Sequence, residues 1–204
     1  MTAQIIPFNP LDKTNLGSSV ADALLARTPV PLDELAEFQG AGVYAIYYSG
    51  KFKAYAGLAG LNRSVQASCP IYVGKAVPSG SRKGGALDAK PGRVLYKRLV
   101  EHGESIRATK NLSIKDFQCR FLVVDDIWIP LGESLLIARF SPVWNSLVDG
   151  FGNHDPGSGR HAGMRPRWDV LHPGRPWAEK CRERAETVAE IERDVVTFLS
   201  HSLE

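Results

Sequence analysis

The sequence predicts an α+β chain in which strand-like runs are interleaved with helix-like ones. Residues 43–48, 70–75 and 117–124 have the aromatic, β-branched composition of strands. Residues 94–107, 130–140 and 177–199 place apolar side chains at helical spacing. The chain has 204 residues, 44% hydrophobic and 23% charged, enough to bury a core without staples.

Residues 1–39 read as a helical N-terminal arm. Asn15 is placed to cap a helix whose face holds Leu16, Val20, Ala23 and Leu24. Pro31 suits the first turn of a short helix from Leu32 to Phe38, which Gly40-Ala41-Gly42 breaks. The strand Val43 to Tyr48 follows, and Ser49-Gly50 turns the chain into a polar, glycine-containing insert ending near Ser68. Pro70 to Lys75 is the second strand, antiparallel to the first. Residues 78–92, rich in Gly, Ser and Lys, form a basic loop. Val94 to Arg107 is a helix with Leu95, Leu99 and Ile106 inward, and Phe117 to Val124 is the third strand. Pro130 to Phe140 is a second core helix, with Leu131, Leu135, Leu136 and Ile137 on its buried side and Pro142 ending it. Gly150 to Pro176 is dense in Gly, Pro, His and Arg and reads as a long loop, a length that signals function or disorder. Trp177 to Leu199 closes the chain as an amphipathic helix through Val188, Ile191, Val195 and Phe198.

Cys69, Cys119 and Cys181 are far apart, odd in number and form no CxxC pair. They argue against a zinc site or disulfide framework and suit reduced thiols in a cytoplasmic protein. Met1-Thr2-Ala3-Gln4 lacks the basic flank and apolar run of a signal peptide, and no apolar stretch reaches membrane-spanning length. The net charge of +3 is uninformative, but its distribution is not. Between Lys75 and Arg98 seven basic residues stand against Asp88 alone, and a second basic zone holds Arg160, His161, Arg165, Arg167, His172 and Arg175. Such zones suit a polyanion-binding face, and equally a solvated surface.

The first strand carries Gly42-Val43-Tyr44 and the second Tyr72-Val73-Gly74. Neither tripeptide says much alone, since strand tyrosines commonly fill cores. Arg98 and His102, four apart, share one helix face. Glu133 stands alone among Leu131, Leu135, Leu136 and Ile137. It is either a carboxylate held inward or a first-turn residue after Pro130, and its position favours the second. Asn145 follows the helix, beside Trp144.

In this order the motifs resemble the GIY-YIG nuclease superfamily, with valine for isoleucine in both tripeptides. Pro70-Ile-Tyr-Val-Gly-Lys-Ala76, Trp128-Ile-Pro-Leu-Gly-Glu-Ser134 and Gly150-Phe-Gly-Asn-His-Asp-Pro156 are similar to its Type II restriction endonucleases that cut CCGCGG. The resemblance implies a small three-stranded antiparallel sheet flanked by helices. It divides the chain into an arm (1–39), a catalytic core (40–148) with a basic insert (76–93), and a DNA-contacting loop region with a C-terminal helix (149–204). It also implies double-stranded DNA as substrate, a homodimer on a palindromic site and a cognate DNA methyltransferase in the host.

Phosphodiester hydrolysis needs an in-line water, a base and positive charge on the phosphoryl oxygens. The chain offers one inward acid rather than a carboxylate cluster, which favours a single metal ion, Mg²⁺, held by Glu133. The resemblance makes Tyr44 the general base; a free tyrosine titrates near about 10, so Lys75, Arg98 or the metal would have to lower it. Tyr72 would orient water or phosphate, Arg98 would clamp the scissile phosphate, and His102 would bond the phosphate or relay the proton. Whether Tyr44 or His102 is the base stays open. Asn145 would orient neighbouring groups or cap a turn. The candidate DNA contacts are Lys75, Arg82, Lys83, Arg93, Asn153, His154, Arg160, Arg165 and Arg167, reading guanine or touching phosphate. A nicking, repair or homing nuclease is the alternative, and a non-catalytic DNA-binding module a more distant one.

Overall fold

An interior strand dictates the layers. Gly42–Tyr48 forms β2, and all seven of its residues are buried. Neighbouring side chains on a strand point to opposite faces, so a strand buried throughout must be covered on both. Tyr44, Ile46 and Tyr48 enter one apolar cluster; Val43, Ala45 and Tyr47 enter another. The computed structural model describes residues 9, 11–78, 91–155, 157 and 162–203. Within them β1 (Val30–Pro31), β2, β3 (Tyr72–Ala76) and β4 (Phe117–Val123) pair antiparallel in the order β1-β4-β2-β3. The expected three-stranded core is present, and Val30–Pro31 adds a short strand at its edge.

That edge strand replaces the helix expected over 32–38. Val30 pairs with Cys119, and the Leu32 amide donates to the Phe117 carbonyl at 3.1 Å. Phe38 stacks on Phe121 with centroids 4.3 Å apart. Sheet pairing and aromatic packing override the local preference that Pro31 suggested.

Helices α1 (Lys13–Leu25) and α4 (Ile129–Phe140) cover the Val43–Tyr47 face, through Ala21, Leu24, Ile129 and Leu136. Asp12, not Asn15, caps α1, its carboxylate accepting the Thr14 amide at 2.8 Å. Ala23 is exposed, and Gly17, Ala21 and Leu24 are the buried positions. On α4 the buried residues are Ile129, Gly132 and Leu136, while Leu131 and Leu135 are half-buried against Gly17.

The opposite face carries α2 (Ala56–Ser64), α3 (Val94–Ala108), α5 (Val143–Ser146), α6 (Arg167–Leu171) and, after the short α7 (Pro176–Glu179), α8 (Val188–Ser202). Leu58, Leu95, Leu99, Ile106, Trp144, Trp168, Ile191 and Val195 join there in one core. Three expectations change. The polar insert before Ser68 contains α2. The stretch 150–176 is not simply a loop, because α6 lies within it and Trp168, His172 and Arg175 are buried. The single helix expected over 177–199 is two, with α8 starting at a Thr187–Glu190 capping box. Cys69, Cys119 and Cys181 are free thiols, and burial pushes Cys119 up to about 12.

A buried polar chain crosses this second core. The Tyr55 hydroxyl accepts from Trp144 Nε1 at 2.8 Å and lies 2.7 Å from His172 Nε2, while His172 Nδ1 is 3.1 Å from Asn111 Oδ1. Burial lowers the His172 pKa from 6.5 to about 3. Below its ordinary pKa the unfolded chain takes a proton that the folded one refuses. Stability therefore falls as pH drops from about 6.5 toward 3, by about 1.4 kcal/mol per pH unit for this group. His172→Gln is expected to remove that share of the slope, measured by urea unfolding near about pH 6 and about pH 4. Equal slopes in both proteins would place the acid sensitivity on other groups.

Candidate active site

Strand register brings the two motifs together. Tyr44 on β2 lies opposite Gly74 on β3, and Tyr72 opposite Ile46. The two phenol rings are 6.2 Å apart. Gly74 has a steric reason to be glycine: a Cβ there would lie 2.4 Å from the Tyr44 hydroxyl. Any larger residue would displace a buried tyrosine.

Beyond Tyr72, β3 is the edge of the sheet, and α5 satisfies its outer side. The Trp144 amide donates to the Ile71 carbonyl at 3.0 Å. Asn145 accepts from the Val73 amide and donates to the Val73 carbonyl, both at 2.8 Å. These two bonds assign Asn145 to the backbone between Tyr72 and Gly74; it caps no turn.

Helix α3 lies against the same face, anchored by Leu95, Leu99 and Ile106. The i, i+4 spacing delivers Arg98 and His102 side by side. His102 is buried, with Nε2 2.6 Å from the Tyr44 hydroxyl. The Phe151 ring stacks on the imidazole at 4.5 Å and 18°, and meets Tyr72 edge-on at 4.9 Å. Arg98 donates Nη2 to the Gly152 carbonyl at 2.7 Å; its Nη1 faces Glu101 at 3.4 Å and touches the His154 ring. Gly152 also admits its neighbours closely, since a Cβ there would lie 2.5 Å from the Tyr72 hydroxyl and 3.4 Å from Arg98 Nη2.

Glu133 arrives from α4. It is the fifth residue of that helix, past the first turn, so the capping reading fails. Its carboxylate meets Lys75 Nζ at 2.6 Å and is 18% exposed. Its charge is felt by both phenols, raising Tyr44 and Tyr72, while Arg98 lowers both. Tyr44, Tyr72, Arg98, His102 and Glu133 thus share one electrostatic neighbourhood.

The titration behaviour differs from expectation. Burial first, then the Tyr72 phenol, pushes Tyr44 well above its ordinary value, and Arg98 offsets only part of this. Burial first, then the charges of Arg98, His154 and Arg175, holds His102 well below 6.5. The stable pair is a protonated phenol beside a neutral imidazole. The Tyr44 hydroxyl then donates to Nε2, which puts the ring hydrogen on Nδ1.

The expected DNA contacts divide. Arg82, Lys83 and Arg160 lie outside the described residues. Lys75 faces Glu133, and Arg93 pairs with Glu37 at 2.7 Å on the surface. Asn153 and His154 are exposed beside Arg98. Arg165 and Arg167 are committed internally. Arg165 donates to the carbonyls of Ala178 and Glu179, and Arg167, 12% exposed, binds Glu186, Asp194 and the Leu147 carbonyl. Sequence reasoning missed Phe151 and Gly152 as parts of the site. The stretch Gly150 to Pro156 carried part of the family resemblance, but neither residue was given a role; the signal that could have done so was a lone aromatic residue between glycines.

An antiparallel sheet with helices on both faces, and paired tyrosines on its two adjoining strands, defines an α+β module of the GIY-YIG class. The model of the Eco29kI GIY-YIG domain, a restriction endonuclease family, matches residues 36–199, and the chain belongs to that family. No curated protein matches the chain. A restriction-type nuclease domain binds DNA. No helix among the described residues is long and apolar enough to cross a membrane.

Proposed function

We propose that this chain is a Type II restriction endonuclease that hydrolyses both strands of duplex DNA at a short GC-rich palindrome, CCGCGG by resemblance. The observation that carries the reading is the 2.6 Å contact between the Tyr44 hydroxyl and His102 Nε2, beside Arg98 and Glu133. Tyr44 takes a proton from the attacking water as it passes its own to His102, so no free phenolate need accumulate. Arg98 presents its planar fork to the scissile phosphate. Tyr72 and Lys75 orient the phosphate and add positive charge, and Asn145 keeps β3 in place. Asn153 and His154, exposed beside Arg98, and Arg93, exposed at the start of α3, serve as DNA contacts.

The donor set suits one Mg²⁺. Among the described residues no three His, Cys, Asp or Glu side chains cluster into a cage. A partly buried lone carboxylate matches an ion that binds through one or two carboxylates and keeps its waters. Glu133 would hold it. When bound, the ion supplies positive charge at the phosphoryl and leaving oxygens. The reading carries with it a homodimer on the palindrome, a cytoplasmic location and a methyltransferase protecting host sites.

Plasmid DNA incubated with the protein and Mg²⁺ tests this directly. Paired cuts at one repeated sequence, with ends mapping to a palindrome, are expected. Nicked circles without linear product would move the assignment to a nicking or repair nuclease of this fold.

A further inference from the structure

The turn over 150–153 carries two of the contacts that shape the site, yet it belongs to no strand or helix. Phe151 stacks on His102 and Gly152 accepts from Arg98. Something else must fix it. The carbonyls of Gly150, Phe151 and Asn153 all point to one side chain, Arg175, at 2.9, 3.2 and 3.1 Å. Arg175 is 3% exposed. Its remaining donors meet Asp169, Nε to Oδ1 at 2.7 Å and Nη2 to Oδ2 at 2.5 Å. The guanidinium lies between the rings of Trp168, 4.5 Å away, and Trp177, 4.7 Å away. A guanidinium has five N–H donors, and here the five hydrogen bonds use them all.

We infer that Arg175, oriented by Asp169, is a positioning residue that sets Arg98 and His102 in working geometry by holding the 150–153 turn against them. The inference rests on the roles given above to Arg98 and His102. Three features support it. The clamp grips carbonyls on both sides of the residue that binds Arg98. A lysine has three donors and no plane, so it cannot serve both Asp169 and three carbonyls. The segment that supplies the clamp, after α6, packs Gly174 on Ala108 at the far end of α3 and reaches Arg98 through the Gly152 carbonyl of the turn. Sequence reading had placed Arg175 in a basic zone suited to a polyanion. The structure instead gives it an anion and three carbonyls of its own chain.

The test compares wild type with Arg175→Lys and Asp169→Asn, using Arg98→Ala as the control. Single-turnover cleavage of a duplex carrying the mapped site, in Mg²⁺, is expected to slow by about a hundredfold in Arg175→Lys, the scale of a small misplacement of catalytic groups. Binding of that duplex in Ca²⁺ should change little. Asp169→Asn should fall between the two, because its amide oxygen still accepts one bond. A second readout needs no activity. In wild type the stacked Phe151 displaces the His102 ring-proton resonances, and in both variants those resonances should move toward the unstacked position. A folded Arg175→Lys protein that cleaves at the wild-type rate overturns the inference. So does a slower enzyme whose His102 resonances have not moved, or unfolding of both variants, which would make the pair a requirement of the fold. If the wild type cuts no DNA, or Arg98→Ala cuts as well as wild type, the functional reading fails, and the His102 resonances still decide whether Arg175 holds the turn.

Discussion

Glu133→Gln is expected to abolish cleavage while leaving DNA binding intact. The substitution keeps the size and hydrogen-bonding reach of the side chain and removes only its charge. In the folded protein that charge does two things. It pairs with Lys75 at 2.6 Å, and it reaches the neighbourhood of Tyr44 and Tyr72. Glu101, the other carboxylate at the site, is turned to Arg98 and His154, and among the described residues no cluster of three His, Cys, Asp or Glu side chains stands in for Glu133 as an anchor for a divalent cation. Loss of that anchor should cost at least about a thousandfold in single-turnover rate, roughly 4 kcal/mol of transition-state stabilisation at 1.36 kcal/mol per decade. Binding should hold or tighten, because Lys75 is released from its partner and becomes available to phosphate. Raising the Mg²⁺ concentration should recover little of the rate. A Gln variant that cleaves like wild type in Mg²⁺ would remove Glu133 from the chemistry and leave the Lys75 pair as a surface contact worth little.

The fold and the site were legible in the sequence to different depths. Strands β2, β3 and β4 and helix α3 declare themselves because their composition and their burial agree. Leu95, Leu99 and Ile106, expected inward, are all fully buried. The motif residues could be placed by order along the chain, since strand register and the i, i+4 rule convert order into proximity. Long-range hydrogen bonding was invisible. The backbone at Val30–Leu32 is claimed by Phe117 and Cys119, far along the chain, and local propensity at Pro31 carries no trace of that pairing. Helix α2 was missed because Gly57 and Gly60 within it read as a loop, while Leu58 and Ala59 pack it on the core. Charge misled in the same way. Composition counts guanidinium groups but not their partners, and Arg165, Arg167 and Arg175 each satisfy groups of their own chain. Glycine and proline density over 150–176 suggested a long loop, functional or disordered. The same stretch includes Trp168 and His172, apolar and aromatic anchors that should have weighed against a free loop.

Tyr44→Phe and His102→Gln are expected to fail together, because the geometry makes them one proton-transfer unit. Either partner alone is poorly suited to the work. Tyr44 is pushed above its ordinary range by burial and by Tyr72, so a standing phenolate is disfavoured. His102 is buried, with the Phe151 ring stacked on its imidazole, so it is poorly placed to meet the attacking water itself. At 2.6 Å the phenol can give up its proton to Nε2 in the same motion that takes one from water. Each substitution should slow single-turnover cleavage by about 10²–10⁴-fold, the range of general acid–base catalysis. The double variant should be little slower than the slower single one, since removing either end disables the unit. The pH profile gives an independent check. A histidine that must stay neutral to accept the proton shuts the reaction down as it protonates. Burial and the nearby cations hold His102 well below 6.5, so the wild-type rate should show no acid limb near that value and should persist to lower pH. An acid limb centred at the ordinary histidine value would mean that His102 is solvated in the working enzyme. Fully additive losses in the double variant would mean that the phenol and the imidazole act on different protons.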